Sequence, residues 1–189
     1  GPVNLASSNA NVAWAQLGAA VTAHFTASEP IKAPGVTLLG VVTTAVNLGG
    51  NQWTATATVG AGTDEGTAGF TIAFSDLAGN AGSVASTTTD ASSVTLDKTA
   101  PMLSLPANIT VSAASAAGAV VTYSASATDN IDSAPVVMAT PSSGSVFPIG
   151  TTTVNATATD AAGNSAAASF DVTVHTAQQS WRLFYFGTT

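Results

Sequence analysis

The sequence contains no cysteine. Its fold must therefore hold by packing and hydrogen bonding, and the redox compartment cannot be read from disulfides in either direction. Basic residues are nearly as scarce, with 3 Lys and Arg against 10 Asp and Glu and a net charge of −7. Phosphate backbones and anionic lipid surfaces are gripped by clustered Lys and Arg, so nucleic-acid binding is excluded and attraction to anionic membrane is not expected. Only Lys32, Lys98 and Arg182 offer trypsin-type cleavage points, which suits a protein exposed to secreted proteases. No apolar run approaches the roughly 18 residues needed to cross a bilayer, so membrane insertion is not expected either. No signal peptide is visible, and Gly1-Pro2 has the form of a protease-cleavage scar. On that reading the export and anchoring signals lie outside these residues.

What is present is apolar without being disordered. Hydrophobic residues make up 46% against 7% charged, and the polar remainder is mostly Thr, Ser, Asn and Gly. Thr and Val suit a pleated, half-buried surface. Short alternating runs bear this out: Val21, Ala23 and Phe25; Trp53, Ala55, Ala57 and Val59; Phe70, Ile72 and Phe74. In the second half, Val120 to Ala127, Thr152 to Ala158 and Phe170 to Val174 alternate in the same way. Such spacing predicts an all-β sandwich architecture. No stretch of ten or more residues shows a helical period, and Ala113 to Ala119 reads as a loop or strand edge because Ser115 and Gly118 interrupt it.

An internal echo divides the chain in two. Phe74-Ser75-Asp76-Leu77-Ala78-Gly79-Asn80 resembles Ala158-Thr159-Asp160-Ala161-Ala162-Gly163-Asn164, each standing between two alternating runs. Asp and Asn bond nearby backbone in such turns, and Gly supplies positive φ. The boundary is placed near Asp97-Lys98-Thr99-Ala100-Pro101, giving domains at 1–98 and 99–175 and an aromatic tail at 176–189.

Several motifs in the second half appear together and in order: Asn108-Ile109-Thr110-Val111, Ala127-Thr128-Asp129-Asn130, Phe147 to Val154, Ala158 to Asn164 and Phe170 to Val174. This segment resembles a hyalin repeat (HYR) domain, in a form without the cysteines many members carry. The first half carries Ser8-Asn9-Ala10-Asn11, Phe25 to Glu29, Phe74 to Asn80 and Asp97 to Pro101. In that order these resemble the immunoglobulin-like repeats of large bacterial surface proteins. The resemblances imply two tandem immunoglobulin-like antiparallel β-sandwiches, extracellular or at the cell surface, used as structural or adhesive spacers and not as enzymes. Neighbouring immunoglobulin-like domains or further copies are the implied partners, with a surface glycan or protein ligand as an open alternative.

The few carboxylates are informative by their placement. In a sandwich of this kind the second-to-third strand loop and the last-strand turn share one pole. That brings Asp129, Asn130 and Asp132 toward Asp160 and Asn164, and the linker adds Asp97. Ca²⁺ takes six to eight oxygen ligands, and close carboxylates repel unless a cation sits among them. A junction calcium site of Asp97, Asp129, Asp132 and Asp160 is the sharp reading, with Asp64 and Glu65 in a nearby loop of the first domain. The bland one has each aspartate capping its own turn. Glu29 and Asp76 make a weaker second site by the same logic.

Catalytic constellations are missing. His24 and His175 sit at outward positions of different halves with no acid beside them, too few for a triad or a zinc site. Trp53 opens an inward-facing set and reads as core, while Trp14 is less determined. Finally, Trp181, Phe184, Tyr185 and Phe186 place four of twelve aromatics in the tail. They fold back, belong to a following segment, or add as a strand to a neighbouring subunit. The last makes the chain a self-assembling filament subunit. A third reading is an accessory, carbohydrate-directed module of a secreted enzyme.

Overall fold

The computed structural model describes residues 1–187, which divide into two units. Unit 1 is Gly1–Thr99 together with Ala161–Asn164; unit 2 is Ala100–Asp160 and the chain from Ser165 onward. Both are built of strands, with one short helix in the tail. They are all-β sandwiches of the immunoglobulin-like kind.

Unit 1 contains β1 (Val3–Ser7), β2 (Trp14–Ala15), β3 (Ala20–Thr26), β4 (Gly35–Leu38), β5 (Val41–Gly49), β6 (Gln52–Thr58), β7 (Gly66–Thr67), β8 (Phe70–Ala73) and β9 (Thr95–Leu96). The hydrogen-bonded orders are β1-β3-β6-β5-β4-β8 and β2-β9-β7. One strand, β5, serves two neighbours: Val41 to Thr44 pair with β4, and from Ala45 onward it pairs with β6. The period-two alternation decides which side chains go inside. Val21, Ala23 and Phe25 of β3 and Trp53, Ala55 and Ala57 of β6 are all buried, joined in one core by Leu38, Ile72, Val94 and Leu96. The outward positions of the same strands carry mostly threonines, with His24 and Gln52 among them, and Thr22 and Thr56 meet hydroxyl to hydroxyl at 3.0 Å. Cross-strand threonine pairs of this sort solvate a sheet face without charge.

Unit 2 contains β10 (Met102–Ser104), β11 (Ile109–Ser112), β12 (Ala119–Val120), β13 (Ser126–Thr128), β14 (Val136–Thr140), β15 (Val146–Phe147), β16 (Gly150–Thr159) and β17 (Ser165–His175), followed by α1 (Ala177–Phe186). Its main sheet runs β11-β17-β16-β14, faced by the pairs β10-β13 and β12-β15. Phe147, Val154, Phe170, Val172 and Val174 form the core, and Tyr123 meets Phe170 edge-on with centroids 5.0 Å apart. Burial holds the Tyr123 hydroxyl pKa above its ordinary value.

Three expectations need correction. The pairing is not wholly antiparallel, because β2 runs parallel to β9 and β11 parallel to β17. In each unit the opening strand splits, its first part pairing antiparallel (β1 with β3, β10 with β13) and its second part joining the last strand. Val120 to Ala127 is not one strand. Between β12 and β13 the Ser143 hydroxyl accepts from the Tyr123 N–H and donates to its carbonyl, both at 2.8 Å, so a side chain takes the place of a partner strand.

The tail is a helix, against the expectation that no helical period is present. Thr176 and Gln179 form a reciprocal capping box, and Gly187 in the left-handed region donates to the Leu183 carbonyl. The spacing Thr176-x-x-Gln179 was the available signal. Trp181 stacks toward Tyr185 four residues on, at 5.1 Å. No residue of α1 is buried.

Candidate metal centre

The aspartates of unit 2 sit where two connections meet. Val136 of β14 pairs with Thr159 of β16, so the start of one strand lies beside the end of the other. The loop before β14 and the turn after β16 thus share one end of the sheet. Asp129 shapes that loop, its Oδ1 accepting from the backbone N–H groups of Ile131 and Asp132 at 2.9 Å each. Asp132 caps the next step, accepting from Ala134 N–H at 2.9 Å. These are the turn-capping bonds of the bland reading, and they occupy one oxygen of Asp129. Its other oxygen, Oδ2, is buried and has no hydrogen-bond partner. Asp160 is itself only 7% exposed, and carboxylate oxygens of Asp129 and Asp160 lie within 4.8 Å of each other. Asp132 is not brought into this grouping.

The arrangement is costly as it stands. A buried acceptor without a donor loses its hydration with nothing in return, and a second carboxylate beside it adds like-charge repulsion. A hard cation is the ligand such a pair of carboxylates suits.

In unit 1, Asp97 follows β9 and is fully buried. Its backbone N–H donates to the Ala15 carbonyl at 3.0 Å, and its Oδ1 accepts from Thr99 N–H at 3.1 Å. Sequence reasoning missed the clasp beside it. Glu65 Oε1 accepts from Lys98 N–H at 2.7 Å and from the Thr99 hydroxyl at 2.8 Å. The Lys98 ammonium in turn donates to the carbonyls of Ala61 and Thr63. Glu65 and Lys98 stand 33 residues apart in sequence, beyond the reach of any local pattern.

For the weaker pair, Asp76 spends both oxygens inside its own turn. Oδ1 accepts from Gly79 and Asn80 N–H at 2.7 and 2.8 Å, and Oδ2 from the Asn80 side-chain amide at 2.7 Å. The Asn80 amide, then its backbone N–H, hold the Asp76 pKa below the ordinary aspartate value. Glu29 lines a cavity at the same end of the unit, beside Phe25, Ile31 and Phe74. His24 is exposed on β3, His175 is half-buried at the end of β17, Trp53 is core and Trp14 is half-buried.

Residues 96–174 match the HYR domain family. Such domains are extracellular and typically non-catalytic modules. No curated relative matches the sequence. Among solved structures, the fibronectin(III)-like modules of Clostridium thermocellum CbhA are 13% identical, covering 92% of this chain and 95% of that one at a TM-score of 0.42. The N-terminal Ig1-2 module of the Drosophila receptor protein tyrosine phosphatase DLAR is 11% identical, covering 92% and 99% at 0.30. A Bacteroides ovatus glucan-utilization protein, SGBP-B, solved with a mixed-linkage heptasaccharide, is 14% identical, covering 87% and 44% at 0.28. Among the described residues no helix is long and apolar enough to cross a membrane.

Proposed function

We propose that the chain is a non-catalytic structural or adhesive spacer of an extracellular protein, in which a bacterial immunoglobulin-like repeat precedes the HYR-type segment and calcium stiffens the second unit. The observation that carries the calcium reading is Asp129 Oδ2, buried without a hydrogen-bond partner beside the Asp160 carboxylate. A divalent cation neutralises both groups at once, and calcium accepts carboxylate, amide and carbonyl oxygens in flexible geometry. Asp132 and Asp97 remain in the proposed ligand set from the sequence reading.

Calorimetry in excess Ca²⁺ and in EDTA tests it. At about a hundred times its dissociation constant a ligand adds about 2.7 kcal/mol, which for a domain this small raises Tm by on the order of 10 °C. Asp129→Asn and Asp160→Asn abolish that rise, while in EDTA they leave Tm unchanged or raise it, because a repulsion is removed. Asp97→Asn and Asp132→Asn report whether those residues also contribute. Melting curves that coincide with and without calcium leave the aspartates as turn caps.

A second reading is favoured by α1. Trp181 is 54% exposed and Phe184 81%, with Tyr185 and Phe186 also open to solvent. Apolar surface of this kind drives association, here between copies of the chain through the helix. Sedimentation with and without residues 176–189 tests the filament reading: a species that grows with concentration only in the intact chain supports it, and one monomeric species in both sinks it.

A further inference from the structure

By exposure alone the segment where unit 1 ends is open to attack. Lys98 is half-buried, Thr99 and Ala100 are exposed, and all three lie outside the strands. Exposed chain of this kind is where proteases nick folded proteins. Lys32 and Lys98 are the only lysines of the sequence, so a lysine-directed protease has two places to cut.

The hydrogen bonds of the segment oppose cleavage at the second. Gly66 pairs with Leu96 where β7 meets β9, so Glu65 stands beside the chain that leaves β9. Glu65 Oε1 takes the Lys98 N–H and the Thr99 hydroxyl, continuing that ladder with a side chain. On the other flank Asp97 N–H donates to the Ala15 carbonyl, just beyond the β2–β9 pairing. The Lys98 ammonium is held by the carbonyls of Ala61 and Thr63. Their loop is set in advance: Thr63 N–H donates to the Gly60 carbonyl at 3.1 Å, and the Thr63 hydroxyl accepts from Gly60 N–H at 3.0 Å.

A lysine-directed protease must draw the Lys98 side chain and an extended stretch of backbone around it into its own cleft. Here the ammonium and the N–H groups of Lys98 and Thr99 are all engaged within unit 1. Cleavage therefore waits on a local opening that breaks these bonds together.

We propose that the clasp between Glu65 and Lys98 is a lock that shields the Lys98–Thr99 peptide bond from lysine-directed proteases. It rests on the spacer reading for its use, an unbroken chain outside the cell; the lock itself is a property of unit 1. Hydrogen bonds to a carboxylate are the stronger kind, so Glu65 is the residue on which the opening turns.

The test is digestion of the 189-residue chain by a lysine-specific endoproteinase in EDTA, with fragments 1–32, 33–98 and 99–189 followed by mass spectrometry. Cleavage after each lysine is divided by its rate in the same chain unfolded in urea. Lys98 is expected to be protected at least tenfold more than Lys32, whose ammonium lies over the exposed Gly79. Glu65→Gln keeps the size of the side chain without its charge. It speeds cleavage at Lys98 about tenfold and leaves Lys32 as it was. Thr99→Val, at an exposed position, removes one donor to Glu65 and gives a smaller rise with the same selectivity. Equal protection at the two lysines overturns the lock. So does cleavage at Lys98 that neither substitution speeds, or that rises only in step with Lys32, because unit 1 is then opening as a whole. None of these outcomes bears on calcium-dependent melting, so the spacer reading is judged separately.

Discussion

Phe147→Ala is expected to lower the stability of unit 2 by about 3–5 kcal/mol, the range for deleting a large aromatic from a sealed core. Among the described residues Phe147 is the largest fully buried side chain, packed with Ala119, Val121, Val154 and Phe170 from both faces of its sandwich. Small domains have little stability to spare. The loss therefore brings unit 2 close to unfolding, and denaturant titration reads it as a lowered midpoint. The core of unit 1, centred on Trp53, Phe25 and Leu38, shares no residue with this one. Its own transition should therefore persist in the variant. A loss under about 1 kcal/mol would mean that neighbouring side chains collapse into the space, contrary to a tightly filled core.

Gly118→Ala adds one methyl group and is expected to cost about 2–5 kcal/mol. Gly118 has a φ of 115°, a conformation that L-residues avoid at roughly 1–2 kcal/mol. An added Cβ would also lie 1.8 Å from the Phe147 carbonyl oxygen and 2.8 Å from its carbon. Backbone cannot swing aside as a side-chain tip can, so β12 and β15, paired through Ala119 and Phe147, are forced apart. Gly144→Ala is the control. It has a φ of 86° and nothing within 4 Å of the added atom, so it bears the backbone term alone. Thermal unfolding of the two variants separates strain from collision. Equal losses would show that the close approach at Gly118 relaxes freely.

Much of the fold was legible because alternation is a direct record of which side of a sheet meets water. Val21, Ala23, Phe25, Trp53, Ala55 and Ala57 announce their burial two residues at a time, and the same holds for Val154, Ala156 and Ala158. The turn chemistry was legible for the same reason, since Asp and Gly act on backbone only a few residues away. Asp129 and Asp160 could be assigned to neighbouring connections once a sandwich was assumed. The fate of each oxygen could not, because it depends on how closely two loops pack. The helix was lost for a different reason: its four aromatics suggested burial or strand addition, and the Thr176-Gln179 capping box, a purely local signal, was overlooked. The interruption of Val120 to Ala127 was invisible, since Ser143 reaches Tyr123 from 20 residues away.

By itself the sequence determined the class of fold, the two sets of inward-facing residues and the positions where glycine must bend the chain. These follow from local geometry, which needs no third dimension. Tertiary structure alone decided that Glu65 clasps Lys98 and that Asp129 keeps one oxygen buried and unpaired. Each of these depends on groups far apart in sequence meeting at hydrogen-bond distance, and a distance of that kind is written in no local pattern.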